Sequence, residues 1–150
     1  MPADSDAATG AALPRTWRPL GVRVAGIVLG TLLLVACAFA WSNFDDETRA
    51  QFSLLQRGTL VLFGLLYFAA GHAMARSRVV AERDRLVVVN GYRRHDYEWA
   101  EVLAVHLPPG APWAVLDLAD GTSQAAMGIQ GSDGGRARRA VRELRGLLGG

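Results

Sequence analysis

The sequence predicts an α+β membrane protein: two N-terminal transmembrane helices, then a small antiparallel β-sheet or open barrel of about six strands, capped by a C-terminal amphipathic helix. Three observations predict it. Two long runs carry no charge, a series of short β-branched runs follows with hairpin signals between them, and the chain ends in an apolar stripe at helical spacing.

Residues 24 to 40, VAGIVLGTLLLVACAFA, contain no charged residue. Residues 58 to 75, GTLVLFGLLYFAAGHAMA, contain none either, and His72 is the one histidine in either run. Each run approaches the ~20 residues that a helix needs to cross ~30 Å of hydrocarbon. In water, helices apolar all round have only each other to bury against. The sequence therefore divides into a disordered cytoplasmic tail over 1–19, transmembrane helices over 20–41 and 58–75, a short extracytoplasmic loop over 42–57, and a cytoplasmic domain over 76–150.

Flanking arginines orient the spans. Arg15, Arg18 and Arg23 precede the first, and Arg76, Arg78, Arg83 and Arg85 follow the second, while the intervening loop holds only Arg49 and Arg57 beside Asp45, Asp46 and Glu47. The bias predicts a multi-pass protein of the plasma (inner) membrane with both termini in the cytoplasm. Trp17 and Trp41 bracket the first run like interfacial anchors. The tail, MPADSDAATGAALPRTWRP, is small, polar and without periodicity.

Two features inside the spans invite chemistry. LVAC, residues 34–37, matches a lipoprotein box in which Cys37 is lipidated, but AFAW continues the apolar run and the leader is long, which favours an ordinary small residue in a helix. Cys37 is the single cysteine, so no intrachain disulfide forms. An ionisable group within a span is a functional suspect. His72 lies near the cytoplasmic end and has no acidic or second histidine partner in either span, which favours a helix–helix hydrogen bond or an interfacial position over a proton relay.

From Ser77 the period changes to that of strands. RVVAE (78–82), RLVVV (85–89), YRRHDYEW (92–99), EVLAVHL (101–107), WAVLDL (113–118) and TSQAAMGI (122–129) are the six candidates. Asn90-Gly91 is the dipeptide suited to a type I′ hairpin loop, where both positions need positive φ, and Ala119-Asp120-Gly121 signals a second hairpin. In RARRAVRELRGLL, Ala137, Ala140, Val141, Leu144, Leu147 and Leu148 form one stripe, with Asp133 or Ser132 as N-cap. A helix is the only element left to cover the open face of such a sheet.

A small curved sheet capped by a C-terminal helix is the architecture of a pleckstrin-homology (PH) domain. Two spans, ARSRVVAERDRLVVVNGYRR (75–94), WAEV (99–102), PWAVLDL (112–118), Asp120-Gly121, GIQ (128–130) and the RARRAVRELR helix come in an order that resembles actinobacterial PH-domain membrane proteins of the "low molecular weight protein antigen 6" type. The resemblance covers roughly residues 20 to 148. It implies a PH-like fold and assigns no catalytic or ligand residue.

The residues that look chemical do not assemble into a catalytic group. GIQGSDGGR (128–136) has glycines ahead of a helix, where backbone N–H groups can meet an anion, but it fits neither dinucleotide nor Walker spacing and reads as a strand-to-helix joint. His95 and Asp96, adjacent on a strand, point to opposite faces. His106 stands isolated, and Asp117 and Asp120 sit around a turn. The sequence predicts no enzyme, no metal site and no cofactor. The arginine face of the last helix (Arg136, Arg138, Arg139, Arg142, Arg145) reads as a solvated face attracted to the anionic leaflet. Net charge is only +2, which argues against a nucleic-acid partner.

PH domains that bind phosphoinositides use basic residues on their first hairpin, and the resemblance directs attention to Arg83, Arg85, Arg93 and Arg94 as candidate ligand-binding residues. Glu82, Asp84, Asp96 and Glu98 among them weaken the local field. Tyr92, Tyr97 and Trp99 read as sheet packing. The expected function is a non-enzymatic membrane-anchored interaction module, an adaptor or subunit of an envelope-associated complex, with a protein partner that adds a strand to a sheet edge. The alternative is a module that senses anionic lipid headgroups.

Overall fold

The computed structural model describes residues 12–149. Two helices of 23 residues, α1 (Gly21–Asn43) and α3 (Leu54–Arg76), pack side by side, with short α2 (Asp46–Gln51) between them. At ~1.5 Å per residue each long helix measures about 34 Å. Neither has a buried residue in the chain itself. Both are long and apolar enough to cross a membrane. α1 runs without a break through Cys37.

The turn between them is closed by polar side chains. Asp45 accepts the Thr48 N–H, and Ser53 with Gln56 forms a capping box on α3. Arg49 donates to the carbonyls of Trp41 and Ser42, which lie in the last turn of α1 and lack helical partners. Arg57 lies over the Trp41 ring at 5.4 Å, and Trp41, Phe44 and Phe52 cluster around it.

Seven strands and a final helix make up the domain. β1 (Arg15–Trp17), β2 (Arg78–Ala81), β3 (Arg85–Asn90) and β4 (Arg93–Glu98) form one antiparallel sheet in that order. β5 (Val102–His106), β6 (Trp113–Leu118) and β7 (Ser123–Gln130) form a second. α4 (Gly135–Leu148) completes the fold. The six strands read from the sequence are all present, in order; the seventh is new. Arg15–Trp17 pairs with β2 in the register Arg15↔Ala81, Thr16↔Val80, Trp17↔Val79.

This corrects the expectation of a disordered segment over its described part, 12–19. Three residues cannot show a period, and their order comes from the edge of β2. The first part of that segment lies outside the described residues. The consequence is topological: the pair α1–α3 is inserted between the first and second strands of the domain's own sheet.

The two sheets enclose one core. Val79, Ala81, Leu86, Val88, Val105, Ala114, Leu116, Ala126 and Ile129 point inward from the strands, and Ala137, Ala140, Val141 and Leu144 cover them from α4. Leu86, Leu116 and Leu144 are fully buried; each contributes about 2 kcal/mol. The stripe read from RARRAVRELRGLL thus faces the core as predicted. Gly128 makes the approach of the sheets possible, because a Cβ there would lie 2.5 Å from the backbone of Arg78 and Val79.

Candidate functional site

The first hairpin signal folds differently from its expectation. Asn90 pairs with Arg93 as the last rung of β3 and β4, so the two loop residues are Gly91 and Tyr92. Gly91 has φ +62°, and no residue other than glycine has positive φ among those described. Positive φ at the first loop position alone is the requirement of a type II′ turn, not I′. Asn90 does something else. Its Nδ2 donates to the Ala125 carbonyl (2.6 Å) and its Oδ1 accepts the Met127 N–H (3.0 Å), so one side chain continues the ladder from the first sheet into β7. The second hairpin follows its signal: Gly121, at φ +82°, closes a turn from Leu118, and Thr122 pairs back with Leu118. There the Thr122 hydroxyl and N–H, in that order of effect, hold the Asp120 carboxyl below its ordinary range.

The tip of the β3–β4 hairpin rests on α3. The Tyr92 hydroxyl donates to the Ala69 carbonyl (3.3 Å) and lies 3.0 Å from His72 Nδ1. The Arg76 guanidinium covers the Tyr92 ring at 5.5 Å. Gly91 N–H donates to Ser77 Oγ, which donates to the Ala73 carbonyl. His72 therefore bonds to the hairpin rather than to the other helix. Tyr92, read as sheet packing, lies outside the sheet and is 62% exposed; Tyr97 and Trp99 do pack against the core.

On the other helix, Asp133 accepts the N–H groups of Leu20 and Gly21 at the start of α1. The sequence offers Asp133 or Ser132 as the cap of α4, but its N-cap is Gly134, without a side-chain bond. The joint Gly131–Asp133 is a 3-10 turn whose carboxylate is committed to α1. Trp17, expected as an interfacial anchor, donates from Nε1 to Glu143 on α4 (3.0 Å) and packs on the core, while Arg15 bridges the same carboxylate at 2.8 Å. These contacts join the domain to both helices.

The four candidate arginines do not converge. Arg85 pairs with Glu98 across the ladder at one end of β3, and Arg93 pairs with Asn90 at the other. Five residues of strand separate the two ends by about 17 Å. Arg83 lies in the β2–β3 turn and Arg85 begins β3, both away from α3; Arg93 and Arg94 begin β4 beside the docked tip. Arg85 is held by Asp84 at 2.9 Å and Glu82 at 3.5 Å. That hydrogen bond lowers the Asp84 carboxyl from its ordinary value and raises the Arg85 guanidinium. Arg94 bonds Asp96 at 3.0 Å. Among the described residues, Arg93 has no carboxylate partner, and it is exposed.

Two sheet edges bear on partner binding. β4 is an outer strand whose exposed side chains are charged, a pattern that resists edge pairing. β5 is the outer strand of the second sheet. Beside it a shallow groove runs between Leu103, His106, Arg145 and Leu148. Leu103 is 65% exposed, at a register shift in the β5–β6 ladder. Arg145, one of the predicted solvated face, donates to the Val105 carbonyl on this edge (2.8 Å). His106, expected to stand alone, lies 3.3 Å from Asp117 of β6. Among the described residues there is no group of three or more His, Cys, Asp or Glu that could hold a metal.

Comparison with known proteins decides the family. Residues 76–147 match the family model described as Bacterial PH domain. An uncharacterized protein of Mycobacterium tuberculosis (strain H37Rv) is 30% identical over 128 residues, which is 85% of this chain and 76% of the relative. The chain belongs to the bacterial PH-domain family. An uncharacterized protein of Mycobacterium bovis matches with the same identity and coverage. No solved structure matches the chain.

The family match begins at Arg76. In this bacterial PH domain, β1 lies ahead of the matched segment, on the far side of the helix pair. The first hairpin of the sheet, where the resemblance placed headgroup-binding residues, is therefore β1–β2, and its connection is the two helices themselves. The arginines picked from sequence lie in or beside the next two connections.

Proposed function

We propose that the chain is a non-enzymatic, membrane-anchored interaction module, an adaptor or a subunit of an envelope-associated complex, with α1 and α3 crossing the plasma membrane and the PH-like domain in the cytoplasm. The observation that carries this reading is the insertion of the apolar helix pair between β1 and β2. That pairing holds the residues before α1 and after α3 at one end of the helix pair, as an even number of crossings demands, and the flanking arginines favour the cytoplasmic side. A domain built around its own anchor needs no lipid affinity to reach the membrane. Its β5 edge, with Leu103 and Leu148 beside it, suits a peptide added as a strand.

A photo-reactive residue at Leu103 of the full-length protein, in its native membrane, is expected to give a discrete protein adduct that weakens with Leu148→Asp. The runner-up, anionic headgroup sensing, is supported by exposed Arg93 beside the helix end. Adducts to anionic lipid from position 93, with none to protein from position 103, would replace the adaptor reading with that one.

A further inference from the structure

The docked hairpin tip lies lower on α3 than a cytoplasmic loop should. Tyr92 bonds at Ala69 and His72, whereas the first charge at that end of the helix is Arg76. Seven residues of helix set Ala69 about 10 Å before Arg76 along the axis. The segment from Ala69 to Ala75 carries no charged residue, and none of it is buried. With Arg76 among the headgroups, the Tyr92 hydroxyl sits near the inner limit of the polar layer.

We propose that the Gly91–Arg93 tip of the β3–β4 hairpin is a third membrane-embedded element, with the Tyr92 ring at the headgroup–acyl boundary and the Arg93 guanidinium on lipid phosphate. The inference rests on α3 spanning the membrane. Tyrosine suits this depth because its ring is apolar and its hydroxyl is already bonded to α3. Arg93 follows it in sequence, is exposed, and has no carboxylate partner among the described residues; its long stem lets the charge reach back to the phosphates. The placement is built in rather than incidental. Ser77, 1% exposed, ties Gly91 to the helix end, and a Cβ at Gly91 would meet the Ala73 side chain at 3.4 Å. The Arg83–Arg85 turn, at the far end of β3, stays in water. Phosphate is common to all phospholipids, so the insertion does not depend on lipid charge.

The unaltered full-length protein, isotope-labelled in nanodiscs of zwitterionic lipid, tests this with a nitroxide carried near the top of the acyl chain. The amide signals of Gly91, Tyr92 and Arg93 are expected to broaden at least as much as those of Ala73 to Ala75. Those of Arg83 to Arg85 should stay sharp, and those of residues 61–66 should report the span when the nitroxide is moved to the chain end. Sharp signals at 91–93 together with a broadened 61–66 overturn the inference and leave the span standing. Sharp signals in both places remove the span and the inference with it. Broadening at 91–93 only when anionic lipid is added overturns fixed insertion in favour of charge-dependent attachment.

Discussion

Asp133 accepts the N–H groups of Leu20 (3.0 Å) and Gly21 (2.8 Å), so a residue of the β7–α4 joint caps a helix that begins 112 residues earlier. The first N–H groups of a helix have no partner within it, and a carboxylate also complements the positive end of the helix dipole. Asp133→Ala should cost about 1 kcal/mol and Asp133→Asn less, since asparagine caps nearly as well. Hydrogen exchange reads this directly. The Leu20 and Gly21 amides should exchange about fivefold faster in the alanine variant, with the core amides of Leu86 and Leu116 unchanged.

Asn90 offers a sharper test, because two roles predict opposite results. Were its importance the turn, Asn90→Gly would be tolerated or favourable. The structure gives it the bridge to Ala125 and Met127 instead. Asn90→Gly and Asn90→Ala should each destabilise the domain by about 2 kcal/mol, the range for stranding part-buried backbone groups. Asn90→Asp should also lose stability, because it keeps the acceptor for Met127 but has no donor for Ala125. Chemical denaturation of the full-length protein in detergent would show the loss, and an unchanged midpoint for Asn90→Gly would contradict the bridge.

Two glycines should respond in opposite directions to alanine. At Gly128 the new Cβ meets the Arg78–Val79 backbone at 2.5 Å, where no side chain can rotate away. Gly128→Ala should cost about 3 kcal/mol or prevent folding, as overpacking of a core does. At Gly146, within α4, a Cβ meets nothing within 4 Å. Gly146→Ala should stabilise by roughly 0.5–1 kcal/mol, because glycine loses more backbone freedom in a helix. Paired thermal melts suffice.

Alkaline pH should weaken the domain through Tyr97. Burial above all, then the charges of Asp120 and Glu101, push its phenol above the ordinary value. The folded state then holds the proton more tightly than the unfolded chain. Its contribution is fully present below pH ~10, the ordinary phenol value, and is lost as pH rises through the raised folded value. The melting temperature should therefore fall more steeply above pH ~10 in the native protein than in Tyr97→Phe. Equal slopes would show that Tyr97 does not titrate differently on folding.

The candidate site was less legible than the fold. Arg83, Arg85, Arg93 and Arg94 are close in sequence, yet a six-residue strand places the two pairs at opposite ends of β3. Tyr92 carried no signal of its role, because strand alternation says nothing about a loop residue resting on a helix 20 residues earlier. The edge at β5 is readable as a strand in VLAVH, but its order in the sheet is not, since pairing partners lie in other segments.

The sequence by itself determined two helices of membrane-crossing length, six strands and the buried face of α4. The helices are announced by uninterrupted apolar runs and the strands and α4 by repeats of 2 and 3.6, each signal lying within one segment. Only the tertiary structure decided that Arg15–Trp17 is a strand, that Glu143 receives Trp17 and Arg15, and that Asp133, Asn90 and Tyr92 link the domain's sheets and helices. Those contacts join residues from 20 to 128 positions apart through single side chains. Nothing repeats along the chain to announce them, because one hydrogen bond needs only one donor and one acceptor brought together by everything else in the fold.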